Sequence, residues 1–120
     1  KISLCTDPFQ PHMVCNAVTS ASPEFCEEYW KLWEWKNTAW LTECQISFGK
    51  VKAPSEMEVL RTYYNDVGKL DTAFPYRILS YKKHIMQDRG MLDTSSIVYF
   101  HGRPKPHQIA HEKWVQRHWR

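Results

Sequence analysis

This 120-residue chain is never apolar for long. Its longest uninterrupted apolar run is Ile97–Phe100, far short of the roughly 18 residues that cross a bilayer, so no transmembrane helix is expected. There are no internal repeats and no low-complexity tracts. The four cysteines, at 5, 15, 26 and 44, include no C-x-x-C pair, which argues against a zinc ribbon. No signal-peptide pattern opens the chain: Lys1-Ile2-Ser3-Leu4 runs straight into Cys5-Thr6-Asp7-Pro8. Two disulfides are arithmetically open, but nothing secretory favours them, and free, largely buried thiols are expected. The chain does not begin with Met, which fits processing or derivation from something longer.

Charge of one sign is also scarce. The net charge is +3 with neutral His, too small a surplus to make nucleic acid the expected partner. What excess there is gathers at the end, where Arg103, Lys105, Lys113, Arg117 and Arg120 face one acid, Glu112. Such a segment attracts phosphate groups or is simply a solvated basic end.

What the chain has in plenty is aromatic rings, 14% of residues with six Trp. Together with 42% apolar residues, they call for a packed core and a layered fold rather than a loop-rich scaffold. Residues 1–22, with Pro8, Pro11 and the small-residue run Thr19–Ser22, read as irregular. Ser22-Pro23-Glu24 then opens a helix with an N-cap Ser, a Pro at the first position and an acid at the positive end of the dipole. Phe25, Cys26, Tyr29, Trp30 and Trp33 give it one apolar stripe to about Lys36.

A second helix is predicted from Asn37, with Trp40, Leu41 and Cys44 inward and Gly49 after it. A third starts at the Ser55/Glu58 capping box, with Met57, Leu60, Tyr63, Tyr64 and Val67 on its face and Gly68 as its stop. Tyr76–Tyr81 and Ser96–His101 read as strands, separated by a turn at Asp88-Arg89-Gly90. Gly102, Pro104 and Pro106 break the second strand, and a short helix holds Trp114, Val115 and Trp119. The fold class is therefore mixed α/β: helices packed on a small mixed sheet, as one domain over 1–120 or the C-terminal part of one.

The segment richest in chemistry is His101-Gly102-Arg103-Pro104-Lys105-Pro106-His107. An imidazole at a strand end stands on a rigid platform and can bind a divalent metal. Gly102 lets backbone N–H groups come close to a ligand. Lys105, held by two prolines, is a fixed positive charge of the kind a departing diphosphate needs. The bland alternative is an exposed turn with a structural His. His107, His111 and His118 could share a face and bind zinc or nickel adventitiously if 107–118 were one helix. His-Glu-x-x-His is absent, because Val115 stands where the second His belongs. Trp30, Trp33 and Trp40 could stack on sugar rings but at helical spacing read as core.

Phe100-His101-Gly102-Arg103-Pro104-Lys105-Pro106, preceded by Ile97-Val98 and followed by Trp114-Val115 and His118-Trp119, resembles the C-terminal signature of GT-A-fold glycosyltransferases. Ser80-Tyr81-Lys82 and Trp40-Leu41-Thr42-Glu43 resemble a bacterial and phage branch of that family. The likeness covers residues 36–120, and 1–35 only loosely. It implies a partial GT-A-like domain that transfers a sugar from a nucleotide-diphosphate sugar to an unknown acceptor, in the cytoplasm, with Mn²⁺ or Mg²⁺. It implies His101 as a metal ligand, Gly102 and Lys105 as diphosphate contacts, and Lys82 as a further contact in the same pocket; it names no catalytic residue.

The chain departs from that family in two places. The Asp-x-Asp that holds the metal is missing, so a missing N-terminal half or an assembly partner would have to supply it. Lys36-Asn37-Thr38 stands where relatives carry Gly-Asp-Gln, with Glu43 and Glu34 the acids that could substitute. Both departures keep a second reading open, a non-catalytic binding or structural module derived from that fold.

Overall fold

The computed structural model describes residues 1–34 and 55–119. The predicted helix around Trp40 lies outside the described residues. The chain divides into two compact units, Lys1–Ala73 and Phe74–Arg120. Both mix helix with a small sheet, so the α/β class holds. No helix among the described residues is long and apolar enough to cross a membrane.

The first unit opens with β1 (Ile2–Thr6) and β2 (Val14–Ala21), where the sequence reading expected irregular chain. Alternation is present in Ile2-Ser3-Leu4, but it is short. The small, uncharged Thr19–Ala21 run is an outer strand, β2 being an edge of the sheet, and there a strand has no second neighbour to fill. Pro8 and Pro11 sit in the connecting turn, where Asp7 organises the backbone. Its carboxylate accepts from the N–H groups of Phe9 (2.8 Å) and Gln10 (3.0 Å). The pairing is antiparallel and its register breaks once: Leu4 faces Thr19 while Cys5 faces Cys15, leaving 16–18 as a bulge in β2.

Helix α1 (Pro23–Glu34) begins as the Ser-Pro-Glu signal predicts, with the Phe25 N–H donating to Ser22 Oγ at 3.3 Å. Its buried stripe is narrower than the sequence suggested. Phe25, Tyr29 and Trp33 pack inward, whereas Cys26 is exposed and Trp30 is 63% exposed. Phe25 stacks on Tyr29 and meets Tyr64 edge-on, with Trp33 against Val59.

Helix α2 (Glu56–Tyr64) carries the predicted capping box: the Ser55 N–H donates to the Glu58 carboxylate, and α2 buries Val59 and Leu60. Gly68 is not its stop. The helix ends at Asn65, whose side chain takes the Val14 N–H at 2.9 Å, and Gly68 lies in β3 (Gly68–Lys69), parallel to β1. A Cβ at Gly68 would meet Ser3 Oγ at 3.4 Å, an ordinary contact, so nothing in the strand pairing requires glycine there. The short α3 (Leu70–Ala73) follows, and Asp71 accepts the Thr6 N–H at 2.8 Å. Ile2, Leu4, Val14 and Leu60 form the core of this unit.

Burial controls the thiols here. Cys5 and Cys15 are buried, as expected, and desolvation pushes the Cys5 thiol up to about 12, the charge of Asp71 adding to it. Iodoacetamide at pH 8 is therefore expected to modify the exposed Cys26 well before Cys5 and Cys15, a rate order that peptide mass spectrometry would read directly. The sign for stability follows. The buried thiol favours the folded state fully below its ordinary value of 9.0, and that contribution is lost as pH rises toward about 12. Urea midpoints should accordingly fall across that alkaline window.

The second unit holds β4 (Ile78–Ser80) and β5 (Ile97–Tyr99), paired in parallel with Ser80 beside Tyr99. Both strands are shorter than predicted, for local reasons. Tyr76 has a left-handed φ of 63°, so the chain is still turning there, and the Arg77 carbonyl accepts from both Ser96 and Ile97 N–H groups. At the other end a π-helical turn, Tyr81–Ile85, takes over from β4. A 3₁₀ turn at Arg89–Asp93 follows, where Asp88 accepts the Gly90 N–H, then a second at Pro106–Ile109 and helix α4 (Lys113–His118). Leu79, Tyr81, Ile85, Ile109 and Val115 make the core, with Phe100 and Trp114 stacked at 6.4 Å beside it.

Candidate functional site

Because β4 and β5 run parallel and in register, their carboxyl ends lie side by side. Tyr81-Lys82-Lys83-His84 leaves one end and Phe100-His101-Gly102-Arg103 leaves the other. Open α/β sheets bind ligands outside the carboxyl ends of their strands, at switch points in strand order; this two-stranded sheet shares the carboxyl edge but has no switch point. The Lys82 segment and the His101–Lys105 segment thus start from neighbouring strand ends, although 18 residues separate Lys82 from His101 in the sequence. Across 81–84 and 101–107 the charged side chains are Lys82, Lys83, Arg103 and Lys105, with His84, His101 and His107 and no acid. The four cations are exposed, so the edge is positive and wet.

Each half of this edge is held by local hydrogen bonds. Ser80 is fully buried, and its Oγ accepts the Lys83 N–H at 3.3 Å, capping the π turn. The Ser80 N–H donates to His84 Nδ1 at 2.9 Å. That bond needs an unprotonated Nδ1, so it fixes the tautomer with the proton on Nε2. Lys82 therefore leaves a braced turn. Sequence reasoning missed this bracing; the signal was the Ser80-x-x-x-His84 spacing, read only as the end of a basic stretch. On the other side the Lys105 N–H donates to Gln108 Oε1 at 2.8 Å, anchoring the backbone beneath that side chain.

Gly102 has a φ of +56°, and a Cβ there would have nothing within 4 Å. Its role is thus conformational: the left-handed turn needs glycine, while the space in front stays open. Gly102→Ala is expected to lower stability by about 1 kcal/mol, and Gly102→Asn by less, in urea titrations, because Asn visits this region more readily.

His101 is half-buried, with Nδ1 buried, and its ring meets the Tyr99 ring edge-on at 5.2 Å. His101 lies two residues past the end of β5, its ring against that of Tyr99. Val98 and Phe100 face Trp114 and a cavity of about 340 Å³ that Trp114, His118 and Trp119 also line. His101 is not among the residues that line this aromatic cavity.

Among the described residues, no group of three or more His, Cys, Asp or Glu side chains is placed to hold a metal ion. The described residues do not by themselves fit the Mn²⁺ or Mg²⁺ that the resemblance implies, and Glu43 lies outside them. His107, His111 and His118 do not share one helix either: a 3₁₀ turn carries the first and α4 the last, with a turn at His111 between. His111 lies 3.9 Å from Glu112, which Arg89 clasps with both guanidinium nitrogens.

No protein-family model, no curated protein and no solved structure matches the chain.

Proposed function

We propose that the carboxyl edge of β4 and β5 is the diphosphate-contacting part of a glycosyltransferase-like site. In this reading the chain serves the transfer of a sugar from a nucleotide-diphosphate sugar to an acceptor, in a cytoplasmic setting. The observation that supports it is the parallel, in-register pairing of β4 and β5, from whose neighbouring carboxyl ends Lys82 and the His101-Gly102-x-x-Lys105 turn lead off. Lys105 and Lys82 would neutralise the charge that grows on the diphosphate as the glycosidic bond breaks. The open backbone at Gly102 would let the phosphate oxygens approach main-chain N–H groups. His101, steadied by Tyr99, would orient the group. A divalent metal enters this reading only with ligands from beyond the described residues.

The test is isothermal titration with inorganic pyrophosphate and with nucleotide-diphosphate sugars. Pyrophosphate binding should weaken at least about tenfold in Lys82→Ala/Lys105→Ala, the scale of one or two lost charge-assisted contacts, while Lys113→Ala/Arg117→Ala leaves it nearly unchanged. Equal losses in the two double variants would mean diffuse attraction to a basic surface and would remove the proposal.

The missing Asp-x-Asp and the altered Lys36-Asn37-Thr38 favour the second reading, a binding or structural module without catalysis. Diphosphate-sugar binding with no release of nucleoside diphosphate, over a range of carbohydrate acceptors, would assign it.

A further inference from the structure

Cys5 and Cys15 take no part in the β4–β5 edge. They stand directly opposite each other on β1 and β2, at the last paired position before the bulge. The Asp7 N–H donates to the Met13 carbonyl at 2.8 Å, and Val14 directs its N–H to Asn65 instead. Counting along this antiparallel ladder, Asp7–Met13 is a hydrogen-bonded pair, Thr6–Val14 is not, and Cys5–Cys15 is the next hydrogen-bonded pair. Such pairs have Cα atoms about 5.5 Å apart, inside the roughly 4.4–6.8 Å that a disulfide spans. Directly opposed residues share a sheet face, and both thiols are buried, at 0% and 1% exposure.

The bulge gives this pair a particular setting. The backbones of Val18 and Asp71 lie near the Cys5 sulfur, and that of Ala17 near the Cys15 sulfur. The Cys15 thiol donates in turn to the Thr6 carbonyl at 3.6 Å. Val18 and Ala17 belong to the three-residue bulge, whose Asn16 and Ala17 are exposed. Cys15 therefore sits next to the exposed edge of the sheet, whereas Cys5 lies on the inner strand.

We propose that Cys5 and Cys15 form a cross-strand redox couple, closing to a disulfide on reaction with a hydroperoxide and reopening with a dithiol. Cys15, beside the exposed bulge, attacks the outer peroxide oxygen as its thiolate. The O–O bond breaks, the departing oxygen takes a proton and leaves as an alcohol or water, and Cys15 becomes a sulfenic acid. The Cys5 sulfur then displaces that hydroxyl, its own proton leaving with it as water. In sum, two thiols lose two electrons and two protons, and the peroxide takes them up. Burial holds the couple inert at rest, since both thiols are pushed up from their ordinary value. Hydrogen-bonded pairs hold their Cβ atoms wider than a relaxed disulfide does, so the bond is strained and readily reduced.

The experiment uses the full chain with Cys26→Ser and Cys44→Ser, leaving only this pair, treated natively with hydrogen peroxide and followed by intact and peptide mass spectrometry. The expected result is a monomer that has lost two hydrogens, a peptide joining β1 to β2, and full restoration by dithiothreitol. Adding Cys5→Ser or Cys5→Ala should abolish the change; using both guards against one that fails to fold, with circular dichroism as the check. Two thiols that only gain separate oxygen atoms, that cross-link between chains, or that stay unoxidised in the folded protein would overturn the proposal.

Discussion

Arg61→Leu is expected to destabilise the first unit by about 3–5 kcal/mol, the range for removing one partner of a buried ion pair. Arg61 and Asp7 are each only 11% exposed at the side chain. One guanidinium nitrogen donates to Asp7 Oδ2, and Nε donates to the Val14 carbonyl at 2.9 Å. Asp7 Oδ1 meanwhile caps the Phe9 and Gln10 N–H groups. A single cation thus ties α2 to β2 and to the turn between the first two strands. With Leu at 61, the Asp7 charge stays in the interior without its counter-ion, and the Val14 carbonyl loses a donor. Asp7→Asn keeps an acceptor for the turn, so Asp7→Asn/Arg61→Leu should recover part of the loss. Equilibrium urea unfolding of both single variants and the double variant measures the coupling. A loss below about 1 kcal/mol for Arg61→Leu would mean that the pair behaves like a solvent-exposed bridge.

The second large effect belongs to the other unit. Ile85→Ala should cost about 2–5 kcal/mol, the range for deleting a buried aliphatic side chain. Ile85 is 1% exposed and packs in the cluster with Leu79, Tyr81, Ile109 and Val115. Its place at the end of the π turn gives the backbone little room to fill the void, because Tyr81 and Ser80 on the same turn are themselves fixed by packing and capping. Met86→Ala next to it is the control: Met86 is 58% exposed and should change stability by less than about 0.5 kcal/mol. If the two substitutions cost the same, Ile85 is not a keystone of this core. Because Lys82 leaves the same turn, weaker pyrophosphate binding in Ile85→Ala would link that core to the basic edge.

Legibility in the sequence followed how local the cause was. The start of α1 and the capping box of α2 are set by side chains within four residues of the backbone they satisfy, and both were readable. The strand β5 announced itself by Ile97, Val98 and Tyr99. β1 and β2 did not, because their stability comes from each other and from Leu60 and Phe25, which lie well along the chain. Trp30 was misread as core for a related reason: helical spacing gives a stripe, but how wide a stripe is covered depends on what packs on it. In the site, Gly102 and Lys105 were evident from the broken strand. The parallel pairing that starts the Lys82 segment from the neighbouring strand end depends on a crossover through two irregular turns, and no short window of sequence contains it. The Ser80–His84 brace was within reach, since both partners sit in one five-residue stretch.

The π turn at Tyr81–Ile85 bears on how this unit tolerates length changes. It closes with the Met86 N–H reaching back five residues to the Tyr81 carbonyl at 2.9 Å, one residue more than an α turn uses. Deleting one residue among 82–84 would let an ordinary turn form, with Ile85 and Met86 three and four places after Tyr81. Both positions are apolar and share one side of such a turn. Such a deletion would also move the buried Ile85 round the turn and break the Ser80–His84 brace, so a length change here is expected to disturb this core as well as change how many cations the basic edge displays.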